Sequence, residues 1–116
     1  MKTVILAKSS SGEPYDVTFD FDGDSLRVNC TCKAGALQQQ CKHKRALVRG
    51  DGDMLHNRDQ ADALRQVLLS SQGQSMAGKL RAEEAALAEN ESQKSRIAAE
   101  EKAIKARMSK LFARGL

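Results

Sequence analysis

Hydrophobic and polar residues alternate through the first third of the chain. Thr3 to Lys8 is a short apolar run, and the cluster Ser9-Ser10-Ser11-Gly12-Glu13-Pro14 ends it with turn formers. Tyr15, Val17, Phe19 and Phe21 then share one face, while Asp16, Thr18, Asp20 and Asp22 share the other. That period of two belongs to a half-buried strand. Asp22-Gly23 is a hairpin signal, and it leads into Leu26, Val28, Cys30 and Cys32, which alternate in turn. The pattern predicts a three-stranded antiparallel meander.

The period changes after the cysteines. Residues 42–49 read as a short helix, closed by Gly50 in the position just past a helix C-terminus, and Asp51-Gly52-Asp53 reads as a turn. Asn57 is placed to cap a second helix, with Gln60 at the capping-box position and Ala61, Leu64 and Leu68 on one face. The polar stretch Ser70-Ser71-Gln72-Gly73-Gln74-Ser75 reads as a hinge. From Met76 to Ala113 the spacing predicts one long helix, about 57 Å at about 1.5 Å per residue. Its seam steps by three and four through Met76, Leu80, Glu83, Leu87, Asn90, Lys94, Ile97, Glu101, Ile104, Met108 and Leu111. Seven of those eleven positions are apolar, with polar residues in the middle. Such a seam suits a coiled coil or a partner-binding helix better than a globular core helix. The blander reading is a helix that folds back on its neighbour at 57–71, or a frayed tail. The predicted class is α+β: a small sheet-and-helix domain at 1–56, a short helix and hinge at 57–75, and a C-terminal helix at 76–116. No internal repeat is present.

Composition limits what this chain can bury. Its 116 residues make about one small domain, and aromatic residues are 3% with no Trp. Roughly the first 56 residues are marginal on burial alone and need a staple. Three cysteines leave an odd thiol in any disulfide scheme, so metal ligation is the better staple. The apolar stretch Val4–Ala7 is too short for a signal-peptide core, and no run approaches the ~18 residues of a membrane span. A cytoplasmic setting with reduced thiols is expected, with no membrane partner.

Cys30-x-Cys32, eight residues, then Cys41-x-His43 is the strongest chemical signal. Residues two apart on a strand point the same way, so Cys30 and Cys32 face one ion from one edge. Cys41 begins the short helix, where the helix dipole favours a thiolate, and His43, Ala46 and Leu47 share a face of it. Three sulfurs and one nitrogen form the closed tetrahedral set of one structural Zn²⁺, with no open position for a catalytic water. His56 lies outside the paired spacing and reads as a loop residue. The alternative is three unrelated cysteines and a surface histidine.

The string C-x-C-x8-C-x-H, with Cys41-Lys42-His43 and Ala46 just beyond, resembles the SWIM zinc finger. Tyr15-x-Val17, a Gly turn and a strand into the first cysteine fit the same pattern, so the resemblance spans roughly residues 3–50. It implies a small β–β–α zinc unit that binds DNA or proteins, ligated by Cys30, Cys32, Cys41 and His43. The family occurs in chromatin-remodelling ATPases, transposases and ubiquitin ligases, and as small stand-alone bacterial or phage proteins. One departure is Lys44-Arg45, where the family often has an apolar residue after the histidine.

Charge sharpens this picture. The chain carries a net +4, and residues 25–50 hold Arg27, Lys33, Lys42, Lys44, Arg45 and Arg49 without one Asp or Glu. Lys33, Lys42, Lys44, Arg45 and Arg49 are therefore candidate nucleic-acid contacts, against the plain alternative of a solvated basic rim. Scarce aromatics argue against base stacking, so duplex is favoured over single strands.

Two other signals lead nowhere. Gly73 to Lys79 nearly spells a phosphate loop, but Leu80 stands where magnesium needs a hydroxyl. Asp20-x-Asp22-Gly23-Asp24 has its Gly fourth, whereas a calcium loop needs it sixth. No serine has a discernible histidine partner and the cysteines are committed to metal, so a non-enzymatic protein without a small-molecule substrate is expected. Two functions compete. In one, a zinc module associates with nucleic acid, and the C-terminal helix dimerises or recruits. In the other, the finger is only a scaffold for a protein-interaction adaptor or inhibitor. Either way Leu80, Leu87, Ile97, Ile104, Met108 and Leu111 are the partner-binding candidates.

Overall fold

The computed structural model describes residues 1–115. Three strands pair antiparallel in chain order: β1 (Lys2–Ala7), β2 (Tyr15–Asp22) and β3 (Ser25–Cys30). Ile5 lies opposite Val17, and Val17 opposite Cys30, so the period of two brings three inward side chains into one row. Phe19, opposite Thr3 and Val28, makes the next row. Ile5, Ala7, Val17 and Phe19 are fully buried. The hairpin loop is Gly23-Asp24, one residue beyond the expected pair, because Asp22 still pairs with Ser25. Gly23 comes first in the loop at φ 59, the place where a two-residue type II′ turn requires glycine.

Among the described residues four helices follow: α1 (Lys33–Ala36), α2 (Lys42–Val48), α3 (Ala61–Leu69) and α4 (Ser71–Arg114), with 3-10 turns at Gly52–Met54 and Arg58–Gln60. The single turn α1 has no periodic signature in the sequence. α2 buries His43, Ala46, Leu47 and Val48 against the sheet. It ends as expected at Gly50, φ 84. The Gly50 N–H donates to Leu47 O and the Asp51 N–H to Ala46 O, which is a Schellman closure.

The free edge of β1 is covered rather than left open. Ala7 bridges to Leu55, the Lys8 N–H donates to Met54 O at 2.8 Å, and the His56 N–H donates to Leu6 O at 3.0 Å. Gln60 continues the cover with its side chain. Its Oε1 accepts from the Leu6 N–H at 2.7 Å and its Nε2 donates to Val4 O at 3.0 Å. This side-chain amide stands in for a fourth strand and blunts an aggregation-prone edge. Gln60 is therefore not the reciprocal partner in a capping box. Asn57 caps the 3-10 turn at Arg58–Gln60, and α3 begins without a side-chain cap. On α3 the buried residues are Leu64 and Val67; Leu68 is half-buried and Ala61 exposed. The chain enters this helix through the 3-10 turn, which rotates its inward face from the expected one.

The stretch 70–75 contains a single non-helical residue, Ser70. Its Oγ accepts from the Gly73 N–H at 3.0 Å, which caps α4 and lets it start at Ser71 rather than Met76. Gly73 is buried where the two helices meet, and a Cβ there would stand 2.1 Å from Val67 O. The Gln72 side chain donates to Gly23 O and ties α4 to the hairpin turn. The first compact unit runs Met1–Leu80, with half-buried Met76, Ala77 and Leu80 packed on its core. The second unit is the helical segment from Arg81.

Gly73→Ala should cost about 1–3 kcal/mol, because a methyl group has no space at this corner. Gly52→Ala, whose Cβ would meet nothing within 4 Å, should stay within about 0.5 kcal/mol. Thermal unfolding of both variants, loaded with zinc, checks the pair.

Candidate metal centre

Cys30 is the last residue of β3, and its register opposite Val17 holds its side chain on the buried face. Cys32 lies beyond the strand, contrary to a simple two-residue strand pair. It is the N-cap of α1, where its Sγ accepts from the Gly35 N–H at 3.3 Å. The chain turns sharply here because Gly35 lets α1 sit on the backbone of Cys30; a Cβ on Gly35 would meet Cys30 O at 2.3 Å. Cys41 repeats the device as N-cap of α2, its Sγ accepting from the Lys44 N–H at 3.4 Å. At Cys32 the backbone donors and the positive helix end thus favour the thiolate.

His43 completes the group from the first turn of α2. Its Nδ1 lies 3.8 Å from Cys30 Sγ, and the Tyr15 ring lies tilted against the imidazole with centroids 4.8 Å apart. Its Nε2 is buried with no hydrogen-bond partner among the described residues. The four ligand atoms lie within 4.8 Å of one another, and all four residues are buried. A tetrahedron with Zn–S about 2.3 Å and Zn–N about 2.0–2.1 Å has edges of roughly 3.6–3.8 Å. The Cys30–His43 separation already has that length, and the widest must close by ~1 Å on binding. Three buried thiols and an imidazole without a disulfide are the donor set of one structural zinc site.

Electrostatics show what the ion must overcome. Burial pushes the Cys30 thiol up to about 12. Burial acts on Cys32 in the same direction, but the Gly35 and Ala34 N–H groups and the neighbouring Cys30 and Cys41 thiols outweigh it and hold this thiol below its usual value. Burial, helped by the charge of Lys42, keeps the His43 imidazole neutral to lower pH than usual. The site therefore combines a thiol whose proton leaves more easily than usual, an imidazole that stays neutral to lower pH than usual, and, at Cys30, a thiol that burial makes reluctant to ionise.

Around this centre Lys33, Lys42 and Arg49 are exposed, while Lys44 and Arg45 are half-buried. Lys44 Nζ donates to Gln39 O at 2.6 Å, fastening the loop between α1 and α2. The helix candidates divide in the same way. Leu80 packs on the core of its own unit, whereas Leu87, Ile97, Ile104, Met108 and Leu111 are exposed. Gly73 to Lys79 are helical throughout, so no phosphate loop forms there. Sequence reasoning missed Gly35 and the α1 turn, and it placed Tyr15 on the strand without its contact to His43. A glycine three residues after a cysteine was the one available signal.

Among the described residues no helix is long and apolar enough to cross a membrane. Comparison with protein-family models, curated proteins and solved structures found no match.

Removing zinc with a chelator should abolish the strand signal in circular dichroism and leave most of the helical signal, because the sheet unit depends on the metal and α4 does not. A metal-free sample that keeps its strand signal would contradict this. Zinc affinity should fall as pH is lowered from 8 to 6 because binding must expel thiol protons, that of Cys30 above all. Competition with a chromophoric chelator across pH measures the slope.

Proposed function

We propose that the protein is a non-enzymatic zinc module of the SWIM type, working inside the cell, that associates with duplex nucleic acid through the basic face of its metal-stapled elements. The observation that carries this reading is the charge between residues 25 and 50: six cations and no acidic side chain on β3, α1, α2 and their loops. Cations concentrated on a rigid, zinc-held frame suit phosphates better than they suit general solubility, which interspersed charges serve equally well. Lys33, Lys42 and Arg49 would make the outer contacts, with Lys44 and Arg45 closer to the metal. Four protein ligands leave zinc no position for a substrate or a reactive water, which supports a binding rather than a catalytic role. The four-ligand spacing and the β–β–α order around it support the SWIM assignment.

The competing reading, a protein-interaction adaptor with the finger as scaffold, draws on the exposed apolar residues of α4, Phe112 at 81% among them. Both readings use α4 for association; they differ in whether the basic face has a ligand.

Fluorescence anisotropy of the zinc-loaded protein with a labelled ~20-base-pair duplex should give an affinity that falls linearly with salt on logarithmic axes. Lys33→Glu with Lys42→Glu, both on exposed side chains, should weaken binding across unrelated sequences and reduce the slope by roughly one per lost contact. Absence of binding at low salt would favour the adaptor.

A further inference from the structure

The part of α4 beyond Arg81 carries an exposed apolar face. Leu87, Ile97, Ile104, Met108 and Leu111 are between 44% and 62% exposed. They fall on two heptad positions: Leu87, Lys94, Glu101 and Met108 on one, and Glu83, Asn90, Ile97, Ile104 and Leu111 on the other. This is a coiled-coil seam with charges inside it. Those charges say what covers it.

We infer that the face is covered by the same segment of a second copy, running antiparallel and crossing near Ser95–Arg96; this specifies the self-association left general above and does not depend on nucleic-acid binding. A parallel pair in register would stack Glu83 on Glu83, Lys94 on Lys94 and Glu101 on Glu101, three like-charge layers in the seam. The antiparallel pair removes all three. Leu87 meets the partner's Ile104, Asn90 meets the partner's Glu101, and Lys94 lays its aliphatic stem on the partner's Ile97. Helical side chains lean toward their own N-terminus, so the Lys94 ammonium inclines toward the partner's Glu101.

Charge along the segment favours the same direction. Residues 82–95 hold Glu83, Glu84, Glu89 and Glu91 against Lys94 alone, a net −3. Residues 96–114 hold six Lys and Arg against Glu100 and Glu101, a net +4. Antiparallel pairing sets each acidic half on a basic half, whereas parallel pairing sets like on like. The seam is narrow, so the dimer forms at raised chain concentration rather than as an obligate pair.

Two full-length, zinc-loaded variants, Leu87→Cys and Ile104→Cys, test the inference; one carries a tag so that masses separate. Mild oxidation at ~100 µM chain, chosen because dimerisation follows mass action, should cross-link the mixture almost wholly as the mixed 87–104 dimer. Random collision would give only twice as much mixed dimer as either homodimer. Homodimers of Leu87→Cys alone would show a parallel pair and overturn the proposal, and so would random proportions. Sedimentation of the unmodified protein should give twice 12.7 kDa, and a monomer at that concentration would also overturn it. Ile97→Asp with Ile104→Asp should abolish the dimer with zinc content unchanged. If dimerisation fails while duplex binding persists, only this inference falls.

Discussion

Four ligands from three successive elements meet at one point, and the first unit of this protein is organised around that meeting. Cys30 ends a strand, Cys32 caps a single helical turn, and Cys41 and His43 open a second helix. None of these contacts is strong without an ion. The three cysteines belong to the same buried cluster as Ile5, Val17, Phe19 and Leu47, so an ion held by them would lie inside the core rather than beside it. The loop from Leu37 to Gln40 is exposed and has little packing of its own. A structural zinc contributes an apparent ~10–16 kcal/mol, as large as the whole net stability of a typical small domain, about 5–15 kcal/mol. On that scale the aliphatic core would shape the unit and a bound zinc would supply most of its stability.

The backbone around the ion shows how a short chain prepares such a site. Both capping cysteines receive an N–H from three residues ahead, so each helix start does for sulfur what a serine cap does with oxygen. Gly35 is the steric condition for the first of these turns, and the Schellman closure at Gly50 limits the second. The Gln60 amide across the β1 edge reflects the same economy, since one side chain meets backbone groups that a neighbouring strand would otherwise pair.

Much of this was legible in the chain. Period-two alternation gave three strands because one sheet face is buried and the other wet, and Cys-x-Cys with Cys-x-His gave the tetrad because ligands must come from nearby, rigid positions. What escaped depended on tertiary contact. α1 is a single turn with no amphipathic period, and it exists because Gly35 can lie against Cys30. Gln60 resembled half of a capping box, yet the open edge of β1 claimed its amide. The polar string at 70–75 resembled a linker, but Ser70 alone breaks the helix and its hydroxyl caps the next one. Leu80 continued the helical seam by spacing, while the core of the first unit took it inward.

On this reading Cys30, Cys32, Cys41 and His43 together hold one ion in a closed tetrahedral site that the fold requires. Titration of the metal-free protein with Co²⁺ under reducing conditions tests it most directly. Intense visible bands of tetrahedral cobalt and a near-ultraviolet thiolate charge-transfer band should appear, saturating at one ion per chain as the strand signal returns. Weak octahedral bands, or a strand signal already complete before cobalt is added, would contradict it.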